Sequence, residues 1–279
     1  IKPDGTVVIY TADESANSAG MDLYDLADMM ESLGCETALN LDGGGSTMVG
    51  VQYPGYDKCA TANTPTDGSM RACANFIFLV REKTQAEEAD HLFLYPAHSY
   101  ALPGATVNFT LKAADRNYMA TDVPGSISWS TNFGAVGEGK LVLDTSSFNG
   151  GISDAVVSAK AEGMSARATV SILQQVTDIS VYKEDCTTSL NTLHTPAETD
   201  VQLRAGATYY GNTVLSASDS FTWEVTGGIG TITGSGKFTS AKVTKLTEGT
   251  IEVSYGETTA SIPVTVSPAN PFSDTKGHW

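Results

Sequence analysis

The chain has 279 residues, 41% hydrophobic and 17% charged, which fits two or three globular domains and argues against a disordered chain. Its 32 acidic residues against 16 basic ones give a formal net charge of -16, which repels polyphosphate and makes a nucleic-acid partner a poor expectation. A neutral glycan or a cationic wall component stays open, as does an acidic surface that serves solubility alone.

The chain starts at Ile1 without a Met and stops at Trp279, and both ends read as cut from something longer. The lack of a leader therefore excludes no compartment. Lys2-Pro-Asp-Gly-Thr6 reads as a turn that leads into a β-rich run, Thr6 to Thr11 (TVVIYT). Asp22 to Leu33 reads as an amphipathic helix with Leu23, Leu26, Ala27, Met30 and Leu33 on one face. Asp22 can cap its start, and Gly34 can end it in the left-handed conformation. Thr37 to Leu41 reads as a short strand and Ala74 to Val80 (ANFIFLV) as a strand buried on both faces. This order predicts an α+β or α/β domain. Cys59 and Cys73 flank a loop and can pair. Cys35 sits at a helix end, Cys186 stands alone, and no paired C-x-x-C spacing points to zinc. No segment is long and apolar enough to span a bilayer, so membrane insertion is not expected.

Lys83 to Asp90 reads as a linker. After His91 the helical periodicity disappears, and short β-rich runs alternate with turn residues. The region repeats. Ser126-Ile-Ser-Trp129 returns as Ser220-Phe-Thr-Trp223, and Gly134-Ala-Val-Gly-Glu-Gly-Lys140 as Gly230-Thr-Ile-Thr-Gly-Ser-Gly-Lys237. Each unit closes on an alternating strand, Ala166 to Ile172 and Ala260 to Val266. The spacing of roughly 95 residues is that of one immunoglobulin-like sandwich, and each Trp reads as a core residue. The two units resemble bacterial immunoglobulin-like domains, which implies spacers or adhesive modules of exported proteins. Pro271-Phe-Ser-Asp-Thr-Lys-Gly-His-Trp279 resembles the opening of an S-layer homology module, which implies an extracellular, wall-associated protein.

The chemistry gathers in Asn40-Leu-Asp-Gly-Gly-Gly-Ser-Thr47. Asp42 follows a predicted strand end, a usual place for a site residue. Gly43, Gly44 and Gly45 let backbone N–H groups approach an anion, and Ser46 and Thr47 add hydroxyls. No Gly-Lys-Ser/Thr follows, so the run is not a P-loop. A plain glycine-rich turn, with Asp42 bonded to its own backbone, explains the same residues. A metal site built on Asp13, Glu14 and Asp42 matches no EF-hand spacing, and neither metal nor cofactor is expected.

Ala38 to Thr47 is similar to the signature of the phosphodiester glycosidase family, of the N-acetylglucosamine-1-phosphodiester α-N-acetylglucosaminidase type. Two further blocks agree in order: Gly20-Met-Asp-Leu23 with Leu33-Gly-Cys35 around the helix, and Asn63-Thr-Pro-Thr-Asp-Gly-Ser-Met-Arg71 followed by Ala74-Asn75. The resemblance implies hydrolysis of a sugar-1-phosphodiester, with a glycan or cell-wall polymer as substrate. It implies Asp42 as the leading carboxylate, nucleophile or base. Asp67 is a second carboxylate or an ordinary Asp-Gly turn residue. Gly43 to Gly45, Ser46 and Thr47 would contact phosphate or sugar, and Asn40 and Asn75 would orient sugar or loop. Arg71 would hold the phosphate bidentately or pair with Asp67. The family's earlier strands are missing here, so the N-terminal part of the glycosidase domain is an expected partner, and this chain alone is expected to be weakly active or inactive. A non-catalytic glycan-binding or adhesive surface protein is the competing reading.

The predicted architecture is thus multidomain: a partial α+β (α/β) phosphodiester glycosidase domain over 1–83, then two all-β immunoglobulin-like sandwiches over 84–175 and 176–268. The start of an S-layer homology module follows at 269–279.

Overall fold

A computed structural model describes residues 1–15, 18–80, 87–144 and 153–269. The expected S-layer-like tail, Pro271 to Trp279, lies outside the described residues. The chain divides into two compact units: Ile1–Leu92 with Lys112–Pro124, and Phe93–Leu111 with Gly125–Trp279.

Local signals in the first unit act as their chemistry requires. Lys2 N–H donates to the Thr6 carbonyl at 2.9 Å, and Thr6 N–H to Asp4 Oδ1 at 2.9 Å, which closes the expected turn. The helix runs Leu23–Ser32, and the Asp22 carboxylate accepts the Tyr24 and Asp25 N–H groups at 2.8 and 2.9 Å. At the other end Gly34, with φ +80°, sends its N–H to Glu31 O, and Cys35 N–H reaches Met30 O. That pair of bonds is a Schellman cap. Cys35, Cys59, Cys73 and Cys186 are free thiols.

The predicted α+β (α/β) class is wrong. The structure is 5% helical and 43% strand, and the described residues form no α/β domain. In residues 1–80 the strands are two-residue pairs, Glu14–Ser15 with Ser18–Ala19 and Gly50–Val51 with Ala60–Thr61. Thr6 to Thr11, Thr37 to Leu41 and Ala74 to Val80 form no ladder. Composition registers β preference, but a strand exists only where a neighbour takes its N–H and C=O groups. Without one, the residues from Phe76 to Val80 stay 50–87% exposed, and Val7 and Ile9 about as much. The helix buries none of its residues, so its apolar stripe stays uncovered among the described residues.

The second unit is built on period-two alternation. Asp154–Ala161 buries Ala155, Val157, Ala159 and Ala161, and it pairs antiparallel with Met164–Ile172. These strands belong to a nine-stranded sheet. Its order is Ser128–Thr131, Asp154–Ala161, Met164–Ile172, His98–Ala101, Asn212–Leu215, Asp200–Tyr209, Lys237–Ser240 and Gly230–Ile232, and Asp178–Lys183 also pairs with Asp200–Tyr209. His98–Ala101 lies parallel to both Met164–Ile172 and Asn212–Leu215, so one strand joins the two repeats into one sheet. A four-stranded sheet (Leu193–Pro196, Thr258–Ser267, Thr247–Tyr255, Thr222–Thr226) supplies the rest of the second repeat's core. Leu203 and Phe238 from one sheet meet Ile251 and Val264 from the other. This β content is compatible with the sandwich expectation.

The repeated Trp and Gly-Lys signatures have one physical origin. In each repeat a left-handed glycine lies against a carbonyl and beside the Trp. A Cβ on Gly139 (φ +77°) would lie 2.6 Å from Phe109 O and 3.6 Å from Trp129. A Cβ on Gly236 (φ +81°) would run into Leu203 O and lie 3.3 Å from Trp223. The backbones are hydrogen-bonded there too, Phe109 N–H to Gly139 O and Leu203 N–H to Gly236 O. Gly236→Ala is therefore expected to destabilise by about 2 kcal/mol or more, since L-residues resist φ > 0 and a carbonyl cannot swing aside. Gly234→Ala, where a Cβ meets nothing within 4 Å, is the control. Equal urea midpoints for the two variants would refute this explanation of the repeat.

Candidate functional site

The three glycines after Asp42 differ in what they do. Gly43 is extended, with φ -124°, and caps a 3-10 turn, Gly44–Ser46. Gly44 has φ +74° and needs conformational freedom. Gly45 needs space: a Cβ there would lie 2.6 Å from Arg71 Nη2 and 2.6 Å from Asp67 Cγ. The turn is closed by Thr47 N–H on Gly44 O at 3.0 Å. The Ser46 hydroxyl donates to Gly43 O at 3.1 Å, so its proton is engaged in the loop.

Asp67 and Arg71 lie in the second loop, four residues apart. Arg71 Nε and Nη2 both donate to Asp67 Oδ2, at 2.9 and 2.5 Å. Among the described residues, Arg71 Nη1 and Asp67 Oδ1 carry no hydrogen bond. The side chains are 53% and 39% exposed. An ion pair that exposed contributes about 0–1 kcal/mol, so its consequence is positional: it fixes a guanidinium edge against the Gly45 backbone. The structure thus brings Gly45, Asp67 and Arg71 together.

Asn63 and Asp13 hold the two loops in place. Asn63 Oδ1 accepts the Val49 N–H at 2.8 Å, and its amide donates to Thr47 O at 3.1 Å and Asp13 Oδ1 at 2.8 Å. Asp13 Oδ2 accepts the Thr64 N–H at 2.6 Å. Gly68 N–H on Pro65 O then closes the turn that carries Asp67. Sequence reasoning weighed Asp13 only as a metal ligand; its oxygens are used on Asn63 and Thr64. Among the described residues no group of three or more His, Cys, Asp or Glu side chains is placed to hold a metal. Asn63 opens the Asn63–Arg71 segment, and its bridging role has no sequence signal other than its place before Thr-Pro.

The remaining predicted residues lie apart from this hydrogen-bonded cluster. Asn40, Asp42 and Asn75 are exposed. Among the described residues their side chains make no hydrogen bond or ion pair, and neither does the Thr47 hydroxyl. Asp42 does not bond its own loop as a plain Asx turn would.

Residues 1–80 match the phosphodiester glycosidase family. The match covers both loops of the site and the segments around them. No curated protein matches the chain. Among solved structures, the chain is similar to surface layer protein SbsC domains 1–6 at 14% identity and a TM-score of 0.27, over 67% of this chain and 28% of that one. It is similar to Drosophila N-cadherin EC1-3 at 12% identity and TM-score 0.23, over 65% and 68% of the two chains. Human protocadherin-24 EC1-2 gives 10% identity and TM-score 0.23, over 66% and 99%. TM-scores this low do not establish a shared fold. Among the described residues no helix is long and apolar enough to cross a membrane.

Proposed function

We propose that the chain is part of a surface hydrolase that cleaves the C1–O bond of a sugar-1-phosphodiester. Water supplies the oxygen that stays on the sugar, and the phosphate departs as a monoester. The observation that carries this reading is the meeting of Gly45, Asp67 and Arg71 inside the glycosidase-like segment. A guanidinium beside glycine amides suits the charge that develops on a departing phosphate. Asp42, exposed and free of its own loop, acts as nucleophile or as base toward water. A phosphate ester leaves readily, so strong general-acid help is not required.

The reading carries residues 1–83 as the glycosidase segment and 84–175 and 176–268 as immunoglobulin-like spacers. Residues 269–279 are then the start of a wall-binding module outside the cell. It also holds that further glycosidase-domain polypeptide covers the exposed runs 6–11 and 74–80, which are too apolar to remain bare. The chain alone is then weakly active or inactive, and turnover belongs to the intact protein.

Gly45→Ala tests the convergence. The clashing atoms are ends of exposed side chains, so the pair should swing aside with a stability change within about 0.5 kcal/mol. Release of sugar from a methyl N-acetylglucosamine-1-phosphate diester by the intact protein should fall by about 10-fold to 100-fold, because the guanidinium is displaced. Unchanged turnover would remove Arg71 from the site.

A further inference from the structure

The strand shared by the two repeats carries an aromatic strip: Tyr100 and Tyr209 are half-buried and pack against the second repeat's core, while His98 and Tyr210 are exposed at its two ends. His98 packs edge-on against Tyr100, with centroids 4.6 Å apart and planes at 89°. Tyr100 leans on Tyr209 at 5.5 Å, and Tyr209 meets Tyr210 edge-on at 4.7 Å. Strand register puts polar groups beside them. Tyr100 is opposite Ser171, and Ser171 is opposite Asp154. Paired residues in a ladder project to one face, so Asp154, Ser171, Tyr100 and His98 share it. Tyr209 joins the same face through Ala207, Val214 and Tyr100. The Ser171 hydroxyl donates to Asp154 Oδ1 at 2.8 Å and lies 3.1 Å from His98 Nε2. Histidine does not bridge serine and aspartate here, so the trio is no nucleophilic triad. Asp154 Oδ2 and the three phenol hydroxyls make no hydrogen bond among the described residues.

Tyr210 is a second sign. It is 76% exposed and has φ +46°, and Gly211 follows with φ +81°. The two residues form the hairpin turn between Asp200–Tyr209 and Asn212–Leu215, where Asn-Gly or Asp-Gly is favoured. Comparable two-residue turns in this chain place a solvated glutamate there, Glu138-Gly139 and Glu162-Gly163. At Tyr210 an exposed ring takes a backbone conformation it disfavours, and the residue of strain points to use rather than to packing.

We propose that His98, Tyr100, Tyr209 and Tyr210, with Ser171 and Asp154, form a binding site for a neutral hexopyranose glycan. Tyrosine offers a rigid ring face for the apolar side of a pyranose and a hydroxyl for its rim, at little conformational cost. Asp154 accepts sugar hydroxyl protons. Its charge, on a chain of net charge -16, rejects anionic polymers. The proposal rests on no part of the glycosidase reading.

The test is calorimetric titration of the full chain with cellohexaose and chitohexaose, with a heparin oligosaccharide and a decaproline peptide as the anionic and peptide alternatives. Saturable binding of a neutral hexaose is expected. Tyr210→Asn and Asp154→Asn should each weaken it at least about tenfold. Tyr210→Asn should at the same time raise the melting temperature, because Asn suits the turn, so lost binding cannot be lost folding. Absence of binding by both hexaoses, equal binding by Tyr210→Asn, or binding of heparin or decaproline in their place would overturn the proposal.

Discussion

Asp42→Asn in the intact protein is expected to reduce turnover of a sugar-1-phosphodiester by about 10²- to 10⁴-fold, the range for losing a positioned acid–base or nucleophilic group. The substitution preserves size, and Asp42 is exposed with no partner among the described residues, so stability should shift by no more than about 0.5 kcal/mol. That separation makes the experiment informative. Arg71 is a weaker probe, because removing it also strands the Asp67 carboxylate. Near-normal sugar release by Asp42→Asn, measured as kcat with melting temperature alongside, would take the leading carboxylate out of the mechanism. Asp67, whose Oδ1 lies beside Gly45, would then be the candidate.

Phe238→Ala should have the largest effect on stability. Phe238 is fully buried between the two sheets of the second repeat, among Leu203, Ile229, Ile251 and Val264. Truncating a buried Phe costs about 3–5 kcal/mol through lost burial and an unfilled cavity. The effect should extend beyond the second repeat. Leu102, just after the shared strand His98–Ala101, is completely buried in the same core, and its N–H donates to Leu215 O. Denaturant unfolding followed by far-UV circular dichroism should show both repeats losing structure at a lower midpoint. A loss under about 1 kcal/mol would mean that this core is not the main source of the unit's stability.

Local rules were legible in the sequence wherever the partner group is close along the chain. The Asp22 cap, the Gly34 terminator and the Lys2–Thr6 turn each depend on residues within a few positions. The repeat was legible as well, because its Trp and Gly-Lys marks return in step, and the structure explains them by one glycine–carbonyl–Trp contact in each copy. Strand existence in residues 1–80 was not legible. Thr6 to Thr11 and Ala74 to Val80 have the composition of inner strands, but ladder partners are non-local and composition does not supply them. The site was half legible. The glycines, Asp67 and Arg71 were named, and their juxtaposition follows from Asn63 and Asp13, fifty positions apart. The aromatic strip was not legible for the same reason: His98 and Tyr210 are far apart in sequence and are linked only through Tyr100 and Tyr209.

The most direct measurement is hydrolysis of methyl N-acetylglucosamine-1-phosphate diester by the intact protein in isotopically labelled water, with both products analysed by mass spectrometry. Cleavage of the C1–O bond puts the label on the released sugar and none on the methyl phosphate. Label on the phosphate would mean attack at phosphorus by a phosphodiesterase, and no release at all would leave the glycosidase-like segment without the proposed activity.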